Sequence, residues 1–150
     1  MAVQQFNATA RLQKGVRVNV QARQFSLVLD EPEDLGGTDA GMNPVEALLG
    51  SLGACQAIVA RVYAEQFDVQ LDDFRVEVEG DIDLDGFFGK SDVRPGYSEI
   101  RYDFHITSPS PLKNINHLID HLRRHCPVGD TIENKVRLVL NDTVLSRAAA

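Results

Sequence analysis

Two cysteines, Cys55 and Cys126, are the residues of this chain best suited to covalent chemistry. A thiol that ionises is a nucleophile, and two that meet form a disulfide. Cys126 stands in HCPVGDTIE, directly before Pro127. Proline suits the first position of a helix, so Cys126 falls at or beside an N-cap, where unpaired N–H groups and the positive end of the helix dipole favour a thiolate. Its pKa is therefore expected to be depressed. The alternative is a thiol buried inertly at a helix junction, and the plainest reading makes both cysteines small core hydrophobes. His125 is adjacent, but neighbouring helical residues diverge by about 100°, so these two are not expected to form a nucleophilic Cys–His pair. Cys55 gains nothing from a helix end and needs a cation beside it to react as a thiolate. Arg23, Arg17 and Lys14 are candidates, each by default a solvated surface charge.

His117, His121 and His125 recur at steps of four, a spacing that can line up metal ligands along a helix. No further ligand beyond Asp120 is evident, and a polar helix face produces the same spacing, so no metal is expected. Phosphate-binding, dinucleotide-binding, GxSxG and HExxH motifs are all missing, so no cofactor is expected either.

The elements that would position the thiols follow from periodicity. Residues 5–12, 16–21 and 25–29 alternate or run apolar as three strands, with Lys14-Gly15 as a hairpin turn and Asp30-Glu31-Pro32 as a stop. DLGGTDAGMNP is loop chemistry that ends in a helix start at Asn43-Pro44. From Pro44 to about Gln66, Leu48, Leu52, Cys55, Val59 and Val62 recur at helical spacing, while Gly50, Gly53 and Ala57 form a small-residue stripe open to close packing. Residues 69–84 and 97–107 alternate as longer strands. Between them GFFGKSDVRPG carries Phe87 and Phe88, aromatics suited to lining a pocket or to loop packing. Residues 112–124 read as a helix, Pro127 opens another, and 135–141 alternate as a last strand. Strands in runs rather than strict strand–helix alternation predict an α+β fold with mainly antiparallel pairing.

At 150 residues, the chain has room for one domain over positions 1–150. A formal net charge of −7, with acid spread throughout, argues against nucleic acid as a partner. The start MAVQQFNATARLQKG has no apolar leader, and no run approaches the roughly 18 apolar residues of a membrane span. A cytoplasmic protein with no membrane partner is expected, a setting in which a purely structural disulfide is unusual.

GMNPVEALLGSLGAC followed far downstream by CPV, together with LDEPEDLGGTDAGMNP and DIDLDGFFGKSDVRPGYSEI, resembles the OsmC/Ohr family along the whole chain, nearer to its OsmC branch. The resemblance implies an OsmC-like fold, an intertwined homodimer with antiparallel sheets wrapped around central helices. It also implies a thiol-dependent peroxidase that reduces organic hydroperoxides and is regenerated by a dithiol. By position, Cys55 would be the peroxidatic thiol and Cys126 the resolving one, passing through a sulfenic acid and a disulfide. The activating arginine would be Arg23 in QARQFSLVLDEP; the Ohr enzymes carry theirs earlier, near Lys14. Those enzymes have a carboxylate directly after the NP proline, where this chain has Val45 and Glu46 comes one residue late. Glu46 lies nine helical residues from Cys55, about 13 Å along the axis, so it can pair with an arginine or complement the helix dipole but cannot touch the thiol. That departure keeps two other readings open: a non-enzymatic dimer binding an apolar ligand, and a redox sensor.

Overall fold

In the computed structural model, which describes residues 3–147, the chain is α+β with two antiparallel sheets. Strands β1 (Thr9–Leu12), β2 (Val18–Ala22) and β3 (Phe25–Leu29) form a meander in the order β1-β2-β3. Helix α1 (Pro44–Tyr63) follows, then β4 (Asp73–Asp81), a single turn α2 (Leu84–Phe87), β5 (Glu99–Thr107), α3 (Leu112–His125) and α4 (Pro127–Glu133).

The start of α1 is fixed by its sequence. Asn43 accepts from the Glu46 N–H at 2.9 Å while the Glu46 carboxylate accepts from the Asn43 N–H at 2.8 Å. This reciprocal cap, with proline at the first helical position, satisfies donors that would otherwise be orphaned. The preceding loop is folded around Asp30, which is only 2% exposed. Its carboxylate accepts from the backbone N–H groups of Glu31, Thr38 and Ala40 and from the Thr38 hydroxyl. Chiefly through the Thr38 hydroxyl, these bonds hold its pKa down at about 2.

Strands β4 and β5 pair along their full length and separate their faces cleanly. Phe74, Val76 and Val78 stand opposite Ile106, Phe104 and Tyr102 on one face, with charged pairs such as Glu79 and Arg101 on the other. The apolar face lies against α1, which also packs on α3 and α4. Val59, Ala60, Ala64, Val69, Leu71, Leu118 and Leu122 make the core. Gly53 permits the close approach of helix and sheet: a Cβ there would stand 3.3 Å from Val78 Cγ2. The small-residue stripe is thus filled at Gly53 by the chain's own β4, whereas nothing lies within 4 Å of a Cβ built at Gly50.

Two sequence expectations are corrected. Residues 135–141 form no strand, and Leu138 and Leu140 are 94% and 83% exposed. Alternation supplies a strand's faces but not its hydrogen-bonding neighbour, and among the described residues no strand pairs with that segment. Second, α1 does reach the length and apolarity of a membrane span, with a mean hydropathy of 1.4 over 18 residues. Packing on β4, α3 and α4 gives it the setting of a core helix, yet only 28% of that window is buried within one chain.

Candidate active site

Helix α1 and the α3–α4 junction bring the two cysteines together. Cys126 is the N-cap of α4 and 2% exposed; its sulfur accepts from the Gly129 N–H at 3.3 Å. The partly buried Cys55 thiol lies close enough to it to raise its pKa. Burial pushes the Cys126 thiol up, the Gly129 N–H opposes this, and Cys55 adds to the rise. The depressed pKa expected from the N-cap is therefore overturned. The helix end does donate to the sulfur, but loss of water outweighs that donation.

A cavity of about 620 Å³ opens beside Cys126. Leu48, Leu52, Ile100 and Ile132 give it apolar walls, and Gln56, Arg94, Arg123 and Tyr97 bring polar groups to it. The Tyr97 hydroxyl donates to the Val45 carbonyl at 3.0 Å, tying the segment before β5 to the start of α1. Burial, followed by the Glu46 carboxylate, raises the Tyr97 pKa and keeps the hydroxyl a donor. Gly80 makes room for that ring: a Cβ would lie 2.7 Å from it.

The other expected residues lie elsewhere. Arg23 occupies the β2–β3 turn with φ 54, its guanidinium 5.0 Å from the Phe25 ring centroid. Among the described residues its sheet makes no extensive contact with α1, so Arg23 is not gathered to Cys55 within one chain. Arg17 donates to the Thr38 hydroxyl at 2.7 Å and lies 3.8 Å from the Asp30 carboxylate. Glu46 is engaged in the helix cap and, among the described residues, has no arginine partner. Phe87 and Phe88 are 67% and 49% exposed, pack edge-on against each other, and do not line the cavity. His121 and His125 stack at 3.9 Å, with Tyr63 4.3 Å from His121. Burial, then His125 and Arg124, lowers the His121 pKa.

Gln56, Tyr97, Arg94 and Arg123 were not anticipated. The signal for Gln56 was present: it stands four residues after Leu52 and three before Val59, a polar residue at the spacing of the buried face. The arginines carried no such signal, because one lies in a loop noted only for its aromatics and the other in the basic last turn of α3.

A long central helix that delivers one thiol to a second at another helix's N-cap, over an antiparallel sheet, defines a class of paired-thiol α+β proteins. The chain belongs to the OsmC-like protein family, whose model matches residues 37–141. It is 27% identical over 143 residues to a hydroperoxide reductase of Mycoplasma pneumoniae, covering 93% of this chain and 94% of that protein. The crystal structure of an OsmC-like protein from Mycoplasma pneumoniae matches with a TM-score of 0.75 and 25% identity, over 87% of this chain and 88% of that one. An organic hydroperoxide resistance protein, OsmC, from Legionella pneumophila shares the fold with a TM-score of 0.62 at 19% identity, over 88% and 91%. The family and the OsmC-like fold expected from the sequence are thereby established.

Proposed function

We propose that this protein is a thiol-dependent peroxidase that reduces organic hydroperoxides. The observation that carries this reading is the Cys126 thiol lining an apolar-walled cavity with Cys55 as its neighbour. In the first step the Cys55 thiolate attacks the terminal oxygen of ROOH. The O–O bond breaks, Cys55 becomes a sulfenic acid, and the departing alkoxide takes a proton to leave as an alcohol. The Cys126 sulfur then attacks the Cys55 sulfur, releasing water and closing a disulfide. A dithiol reduces that disulfide and is itself oxidised. The raised Cys126 pKa fits the resolving role, since this thiol stays protonated at neutral pH until its partner has been oxidised.

The working unit is a homodimer with one domain, residues 1–150, in each protomer, acting in the cytoplasm. Ile58 and Val62 leave an apolar face of α1 63% and 65% exposed, and the exposed Leu138 and Leu140 offer a strand in search of an edge. A second copy of the chain has both complements. In that assembly Arg23, at the tip of a sheet standing clear of its own α1, is the cation for the thiolate of the partner protomer. Glu46 acts at one remove, by capping the helix that carries Cys55. The apolar cavity also favours a second reading, a dimer that binds an apolar ligand without turnover.

The test is consumption of cumene hydroperoxide with a dithiol present. Wild-type protein turns over, and Cys55→Ser falls to the uncatalysed background. Thiols that stay reduced after peroxide treatment of the wild type would leave the binding reading in its place.

A further inference from the structure

Gln56 occupies the middle of α1 at 2% exposure, among Leu52, Val59 and Ala60, which are 3%, 8% and 0% exposed. A buried carboxamide in such company ordinarily has hydrogen-bond partners, because leaving one unpaired is costly. Here Oε1 is fully buried with no partner among the described residues, and Gln56 is one of the residues lining the cavity that Cys126 also lines. Cys55, the next residue along the helix, does not line that cavity itself but lies close enough to Cys126 to raise its pKa.

A hydroperoxide end has one O–H donor on its terminal oxygen and acceptor lone pairs on both oxygens. A carboxamide is its complement, with a carbonyl acceptor and an NH2 donor side by side. We propose that Gln56 is a catalytic residue that binds the O–O–H end of the substrate in this cavity, a role that rests on the peroxidase reading above. With the carboxamide turned into the cavity, Oε1 accepts the terminal O–H. The substrate spans the roughly 100° that separates Gln56 from its helical neighbour Cys55, so that its terminal oxygen faces the Cys55 sulfur. Nε2 donates to the inner oxygen, where negative charge gathers as the O–O bond breaks, and so favours departure of the alkoxide. The electron pair of the thiolate forms the S–O bond, the O–O pair leaves with the alkoxide, and the terminal hydrogen stays on the sulfenic acid, still within reach of Oε1.

The test compares wild type with Gln56→Leu, and with Gln56→Asn as the milder variant should leucine not be tolerated. Three quantities are measured: kcat/KM for cumene hydroperoxide, the rate of Cys55 alkylation by iodoacetamide across pH, and Tm. Loss of one hydrogen-bonding group in the transition state predicts a fall in kcat/KM of about tenfold or more for Gln56→Leu and a smaller fall for Gln56→Asn. The alkylation profile stays unchanged, and Tm is kept or raised because an unpaired buried amide has been removed. An unchanged kcat/KM in the variants beside an active wild type overturns the role of Gln56 alone. So does a parallel fall in peroxide rate, alkylation and Tm, which marks a structural residue. A wild type that consumes no peroxide overturns the peroxidase reading, and this inference with it.

Discussion

Cys55 and Cys126 put the same side chain into two different settings. One sits in mid-helix, partly open, on a helix of which 28% of an 18-residue window is buried. The other is sealed at a helix junction, 2% exposed, its sulfur held by the Gly129 N–H. The contrast shows that position on a helix does not set thiol behaviour by itself. Cys126 has the helix end that should ionise it and is nevertheless held in the thiol form by burial. In the proposed two-thiol cycle this is a useful division: the partly buried sulfur would meet the oxidant, and the sealed one would wait for the product.

Replacing either sulfur breaks the comparison most directly. Beyond the total loss expected for Cys55→Ser, Cys126→Ser should separate the two half-reactions. With no dithiol present, each chain consumes one equivalent of hydroperoxide and then stops, and dimedone traps a Cys55 sulfenic acid that the wild type would have closed to a disulfide. A Cys126→Ser protein that yields no trapped sulfenic acid while wild type turns over would reassign the roles of the two cysteines. A smaller effect concerns the seat of Cys126. Leu122, fully buried four residues earlier on α3, anchors the helix whose end carries that thiol. Leu122→Ala should cost about 2–5 kcal/mol in urea unfolding, as deletion of buried methyl groups does. A loss under about 1 kcal/mol would show that the junction collapses around the gap and is less rigid than its packing indicates.

The same contrast separates what the sequence made legible from what it hid. Helix α1 was readable because Asn43-Pro44 and Glu46 encode its start locally, and β4 and β5 because one face of each is buried by the chain itself. The buried stripe of α1 was misread: Val62 is 65% exposed, and Gln56, rather than Cys55, joins Leu52, Val59 and Ala60 on the innermost face. Residues 135–141 carry a strand's alternation, but among the described residues no strand edge pairs with them. The proximity of the two thiols came from the family resemblance, since no local rule links positions so distant in sequence. The cavity arginines came from neither source, because their placement depends on how α3 and the loop before β5 pack.

The finest test is of the forces on Cys126 itself. Burial is the largest cause of its raised pKa, and Cys55 adds a further rise by hydrogen bonding and by charge. A folded-state pKa above that of the unfolded chain means that, above the ordinary thiol value of 9.0, the unfolded chain gives up its proton first. The unfolded state then binds fewer protons, so stability falls as pH climbs through that value and is fully kept below it. In Cys55→Ala the neighbour's part of the rise disappears while the buried seat remains. The midpoint for alkylation of Cys126, followed by mass spectrometry across pH, should therefore move to lower pH, and the alkaline loss of stability should become shallower. An unmoved midpoint would assign the whole effect to burial and would mean that the two sulfurs, though neighbours, do not sense each other's charge.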